Sequence, residues 1–338
     1  MIDKIAIFRA LQLGDMLNVI PAVRALRRAY PDAEITLLGL PWAAHFVRRF
    51  HTYFDRFIHF PGYPGLPEQE YDEAAFLRFL DQMRDEKFDL LLQMQGNGTI
   101  VNEMLGRFGA ARLAGFHNKD SRMASPWFIE YPEGVHEISR HQALMTHLGA
   151  PLAGDMLEFP ITARDQKDYD GLLLSLQPGR YVVIHAGSRG VWRQWPPAYF
   201  ALVADECAEK GLELVITGTA EETDITREVM KRVHHPVTDL TGCTTLGSMA
   251  VLLRDAALLV SNCTGVSHVA AATRTPSLVI SMDGEPYRWG PLDHAIHKTI
   301  DWIANPSIEQ VFVALEELVQ MSPVAGGGLD LRFNRPAG

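Results

Sequence analysis

Short apolar runs that alternate with helical periodicity constrain this chain more than any other feature. The runs Ile5–Phe8, Ile35–Leu40, Phe57–Phe60, Asp89–Met94 and Ala111–Phe116 are interleaved with helical patterns over about Asp15–Tyr30, Trp42–Phe50, Tyr71–Glu86 and Ile100–Phe108. Residues 117–135 lack a clear period and read as a loop, before a further helix at about Ile138–Leu148. A helix between successive strands is long enough for a crossover, so the strands are expected to pair in parallel. Gly149-Ala150-Pro151 stops the pattern, and one helix, about Asp165–Leu176, occupies the passage that follows. The alternation restarts at strand Tyr181–His185. It runs on through helix Pro197–Lys210, strand Leu212–Thr217, helix Glu221–Val233, strand Val237–Leu240, helix Leu246–Arg254, strand Ala257–Ser261, helix Val266–Thr273, strand Ser277–Ser281 and helix Ser307–Met321. The expected class is α/β, with two Rossmann-like doubly wound parallel-sheet domains at residues 1–150 and 151–325 and a flexible tail at 326–338. Ligands of open parallel sheets bind beyond the carboxyl ends of the strands, so a cleft between the domains is the expected site.

A length of 338 residues suits two domains, each able to bury its own core. The net charge of −10 argues against nucleic acid as a partner, since phosphate backbones select a basic field. Residues 1–150 carry 16 Lys and Arg against 18 Asp and Glu, and residues 151–338 carry 15 against 23. The nearly neutral first half is the better host for an anion, with Arg24, Arg27, Arg28, Arg48 and Arg49 as candidates, although solvated helix faces are the simpler explanation of them. Three cysteines without CxxC spacing indicate neither a disulfide framework nor a zinc site, and fit reduced thiols. Met1 leads straight into a strand pattern, without the apolar core of a signal peptide or a run of membrane-spanning length. A cytoplasmic location is therefore expected, with no more than peripheral contact at the inner face of the cytoplasmic membrane.

Two turns carry the chemistry. In Arg9-Ala-Leu-Gln-Leu-Gly14-Asp15 a strand ends and a helix opens, so the helix dipole favours an ionised Asp15 at a sheet edge. Such a carboxylate can take a proton from a bound hydroxyl, or simply cap the helix. In Cys263-Thr264-Gly265-Val266-Ser267-His268 the same transition leaves free N–H groups and a missing side chain where an anion can approach. His268 can donate to a phosphate oxygen or satisfy a buried carbonyl. Between them, His185-Ala-Gly187-Ser188-Arg189 and Trp192-Arg193-Gln194-Trp195 form either a diphosphate cradle or a surface loop. No Walker loop, GxGxxG, HExxH or GxSxG is present, so those chemistries lack their signatures.

The set formed by RALQLGD (Arg9–Asp15), PAVRAL (Pro21–Leu26), HAGS (His185–Ser188), RQWPPAYFA (Arg193–Ala201) and CTGVSHVAAA (Cys263–Ala272) resembles glycosyltransferase family 9, the ADP-heptose:lipopolysaccharide heptosyltransferases and their relatives. The resemblance spans roughly residues 1–320 in order and spacing. It implies the GT-B fold, with a donor-binding C-terminal domain, an acceptor-binding N-terminal domain, and inverting transfer without a metal or other cofactor. The implied substrates are a nucleotide sugar, ADP-heptose first, and a lipopolysaccharide core or related saccharide or glycolipid. By resemblance Asp15 is the general base and Arg193, where relatives commonly carry Lys, stabilises the leaving diphosphate. Ser188, Arg189, Glu221 or Glu222, Thr244, Thr264, Gly265 and His268 are implied around the donor. Gly14, Gln95, Asn97, Lys119 and Arg122 are implied around the acceptor. Cys263 stands where relatives often have Asp, which leaves a carboxylate missing near the donor.

Two other functions fit the same pattern. A nucleotide-sugar epimerase or hydrolase would place its acid and base around one sugar, and a non-catalytic sugar-nucleotide-binding protein would keep the grip without the base.

Overall fold

The computed structural model describes residues 2–121 and 125–321. Arg122 and the tail expected at 326–338 lie outside those residues. The chain divides into two compact units, Met1–Pro160 and Ile161–Gly338.

The first unit runs β1 (Lys4–Phe8), α1 (Leu13–Ala29), β2 (Glu34–Gly39), α2 (Ala43–Arg49), β3 (Arg56–His59), α3 (Glu73–Glu86), β4 (Leu90–Gln93), α4 (Val101–Gly106), β5 (Leu113–His117), β6 (Phe128–Glu130) and α5 (Glu137–His147). Its strands are all parallel, in the order β3-β2-β1-β4-β5-β6. Ile5, Ala6, Ile7 and Phe8 are fully buried, as a central strand covered by helices on both faces must be. Phe8, Phe60, Phe76, Phe79 and Phe108 fill the core on one side through edge-on and tilted ring contacts.

Residues 151–160, read from the sequence as the start of the second domain, cluster with the first unit. Arg24 binds Glu158 and the carbonyls of Ala153 and Met156, while Arg49 binds the carbonyl of Pro160 and lies over the Phe159 ring. Arg27 is likewise committed to the carbonyls of Ala33 and Tyr53 and to Asp55. Three of the five arginines considered for an anionic partner thus serve the fold, because a guanidinium fork can close several backbone carbonyls at once.

The second unit opens with α6 (Ala163–Asp170). It continues β7 (Tyr181–His185), α7 (Pro197–Glu209), β8 (Glu213–Thr217), α8 (Thr223–Met230), β9 (Val237–Asp239), α9 (Leu246–Asp255), β10 (Leu258–Asn262), α10 (Gly265–Thr273), β11 (Ser277–Ser281), α11 (Pro286–Trp289), β12 (His297–Asp301) and α12 (Ile308–Val319). The parallel order β12-β11-β10-β7-β8-β9 repeats the order of the first sheet when strands are counted within the unit. Trp195 is its largest fully buried side chain, stacked on Tyr199 and edge-on to Phe200 and Trp302.

Two strands depart from the sequence reading. β6 lies inside the stretch expected to be a loop, and β12 with α11 follows Ser281, where no strand was anticipated. The helix expected to reach Leu176 ends at Asp170, where Gly171 and then Leu173, at φ +51°, turn the chain.

Candidate functional site

The edge of the first sheet is organised by a buried cation. Arg9 leaves β1 with its side chain wholly inside, where an unpaired charge would be prohibitive. Its Nε donates to the carbonyl of Asp15 at 3.0 Å, Nη1 to the carbonyl of Met94 beyond β4, and Nη2 to Glu137 Oε1 at 3.3 Å. The same Nη2 lies 3.8 Å from Asp15 Oδ1. Asp15 sits in the first turn of α1, and the N-cap position is Gln12, whose side chain makes no capping bond, so Asp15 is not the N-cap residue. Helix α1 therefore starts two residues before Asp15, the start its periodicity predicts, and Gly14 falls inside its first turn.

Glu137, at the start of α5, is also paired with Arg140 and accepts from His141 Nε2 at 3.2 Å. Burial opposes ionisation of Glu137, but the His141 hydrogen bond and the charges of Arg9 and Arg140 outweigh it and hold the carboxyl well below the usual range. Burial, aided by Arg9, pushes His141 down to about 4, so its ring is neutral near pH 7 and serves as a donor.

The residues expected around an acceptor divide. Gln95 is buried and its Oε1 accepts from the Ala10 amide at 2.7 Å, which ties the loop after β4 to the loop after β1. Asn97 Oδ1 is occupied locally by the Thr99 amide and hydroxyl. Gly98 has φ +84°, and a Cβ there would lie 2.1 Å from Asn102 Nδ2. Lys119 is exposed just beyond β5. Gln93, which the sequence did not single out, closes the same turn by accepting from the Phe116 amide and donating to the carbonyls of Gln95 and Gly96.

In the second unit Asn262, at the end of β10, ties that strand to the loop after β7. This fully buried side chain accepts from the Trp195 amide at 2.8 Å and donates to the carbonyls of Ala186 and Gly187 at 2.7 and 3.2 Å. Ser188 is buried beside it, and its hydroxyl finds no hydrogen-bond partner among the described residues. A buried hydroxyl left open costs stability unless something else satisfies it. Arg189 is exposed. A Cβ on Gly187 would fall 2.0 Å from the Glu222 carboxyl carbon, so that glycine admits the Glu222 carboxylate against the β7 turn. Glu222 accepts from the Thr219 amide at 2.7 Å and lies 3.8 Å from His185, whereas Glu221 is exposed. Burial lowers the pKa of His185 against the pull of Glu222. Thr244 precedes α9, in the loop beyond β9. Thr264 is the N-cap of α10 without using its side chain as a cap, Gly265 opens the helix, and His268 is buried in its first turns.

Arg193 forms an ion pair with Asp283, which follows β11. Burial opposes ionisation of Asp283, but the Ser281 hydroxyl, the Glu285 amide and Arg193 together hold its carboxyl below the usual range. Cys263 is buried beside this pair and burial pushes its thiol up to about 12, so it is an apolar filler there. Asp283 is a carboxylate near Arg193 that the sequence reading missed.

Residues 76–314 match the model of glycosyltransferase family 9 (heptosyltransferase). The chain belongs to this family. The matched segment holds every residue singled out around the donor, while Arg9 and Asp15 precede it. Over 297 residues the transferase is 23% identical to lipopolysaccharide heptosyltransferase 3 of Escherichia coli, an alignment covering 82% of this chain and 83% of that one. The crystal structure of a family 9 glycosyl transferase from Veillonella parvula superposes with a TM-score of 0.76 at 19% identity, covering 95% of this chain and 99% of that one. An E. coli heptosyltransferase solved with ADP-2-deoxy-2-fluoro heptose superposes with a TM-score of 0.69 at 18% identity, covering 93% and 99%. The two parallel-sheet units thus follow the GT-B plan. Among the described residues, no group of three or more His, Cys, Asp or Glu is placed to hold a metal ion, and no helix is long and apolar enough to cross a membrane.

Proposed function

We propose that this transferase moves heptose from ADP-heptose onto a lipopolysaccharide core or related glycan with inversion, and that Asp15 is the base. In this reading Asp15 accepts the proton of the acceptor hydroxyl as that oxygen bonds to the anomeric carbon. The bond from that carbon to the diphosphate breaks in the same displacement, and the electron pair leaves with the phosphate oxygen. Arg193 and the amides opening α10 take up the charge that develops on the leaving group. The Ser188 hydroxyl donates to the donor phosphates and Glu222 accepts from the ribose.

The observation that carries the assignment of the base is the setting of Asp15. It occupies the first turn of α1, with a permanent cation 3.8 Å away. Both features favour the ionised form that a base must have. The donor assignment is supported by the family and by the ADP-sugar bound to a relative of the same fold. Calorimetry with ADP, UDP, GDP and their sugars tests it: ADP and ADP-heptose are expected to bind tightest, and a preference for UDP would displace heptose as the transferred sugar. Contact with a lipid-linked acceptor is read as peripheral and weakened by salt.

A further inference from the structure

The first unit buries more charge around Asp15 than a proton acceptor needs. Arg9 and Arg140 are permanent cations; Glu137 is ionised between them; His141 is neutral and donates to Glu137. Glu137 is 4% exposed and comes from α5, far along the chain from Arg9. A single nitrogen, Arg9 Nη2, faces both carboxylates, at 3.3 Å from Glu137 and 3.8 Å from Asp15. Arg140 stacks over the Tyr131 ring, His141 packs on Phe116, and His136 caps α5 by accepting from the Ile138 amide. A core of this kind is costly to desolvate and is usually less stable than an apolar one of equal volume.

We propose that Glu137 is a positioning residue for Asp15, dividing the Arg9 guanidinium between two carboxylates so that Asp15 is held in place without receiving the full charge of Arg9. The proposal rests on the reading of Asp15 as base. A carboxylate paired tightly and alone with arginine is a poor proton acceptor, because its basicity falls with its pKa. Glu137 draws part of that charge away, and its like charge raises the proton affinity of Asp15. Arg9 also holds the Asp15 carbonyl, so the tie fixes the backbone of the first turn together with the side chain.

The test is a carboxyl-13C NMR titration of Asp15 in the full chain, with D15N assigning the resonance, paired with kinetics of ADP release from ADP-heptose and a core oligosaccharide acceptor. In E137Q the Asp15 midpoint is expected to fall by about half a pH unit or more. The expected loss in kcat is on the order of tenfold, with the donor KM within about twofold, since small misplacements of a reacting group cost that much. A residue with a merely structural role would not move the midpoint in that direction. If E137Q folds poorly because Arg140 is left uncompensated, E137Q/R140Q restores the formal balance and should give a smaller shift of the same sign. An unchanged or raised midpoint in the folded variant overturns the proposal. D15N judges the base reading separately: full transfer by D15N would sink that reading, while the titration would still decide whether Glu137 governs Asp15.

Discussion

Asn262 and Trp195 are joined by a buried hydrogen bond of 2.8 Å from the Trp195 amide to Asn262 Oδ1. The same asparagine donates to the Ala186 carbonyl, so one amide side chain at the end of β10 sets the spacing of the loop after β7 and the start of α7. N262A would take this partner from a buried amide and from two buried carbonyls. We expect a loss on the order of 3 kcal/mol in unfolding free energy, read by urea denaturation, with weaker ADP binding by calorimetry.

Gly187 admits Glu222. G187A places a methyl 2.0 Å from the Glu222 carboxyl carbon, and the flexible end of that side chain must move, losing its bond from the Thr219 amide. Folding should survive. ADP affinity should weaken by on the order of tenfold, the worth of one hydrogen bond to a charged group, and titration calorimetry reads that change directly.

Arg193 and Asp283 make a second prediction about charge. R193A should lower kcat by on the order of 100-fold through loss of leaving-group stabilisation, with R193K retaining part of it, as steady-state kinetics would report. The folded carboxyl of Asp283 sits below its unfolded value of about 3.9, so its contribution to stability is present above that pH. It is lost as pH falls through the folded value. The stability gap between wild type and D283N should therefore be full near pH 7 and close only below about pH 4.

His297 supplies the opposite probe. Burial pushes it down to about 4 in the fold, beside the Ser277 hydroxyl at 2.7 Å, against about 6.5 in the unfolded chain. Between those values the unfolded state binds the extra proton, so stability falls as pH drops through 6.5 towards 4. The slope approaches about 1.4 kcal/mol per pH unit for one such histidine midway between the two values, and unfolding measured from pH 6 to pH 5 should be flatter in H297Q by close to that amount.

The central strands and the turns that end them were legible in the sequence because both faces of a parallel strand are apolar and the following helix starts at small residues. β1, β7 and β11 satisfy that description almost residue for residue. The strands missed are edge strands, and edges need not be apolar: β12 is His-Lys-Thr-Ile-Asp and β6 has only three residues. At the candidate site, turn chemistry points to Asp15, Ser188, Arg193 and Thr264, but not to their partners. Glu137 lies 128 residues from Arg9 and Asp283 lies 90 residues from Arg193, separations at which local pattern carries no information. A signal did exist in one case. Arg9 stands between the apolar run of β1 and Ala10, and a buried arginine demands an acid somewhere in the fold. Gln95 shows the reverse, since a polar residue at a strand end can serve the adjoining loop's own backbone.

The most direct test of the whole account is D15N, assayed for both transfer and nucleotide binding. The substitution removes the proposed base and keeps the size of the side chain. A fall in kcat on the order of 1,000-fold with an ADP dissociation constant within about twofold of wild type is the predicted result. Transfer at an undiminished rate, or loss of ADP binding together with activity, would contradict it.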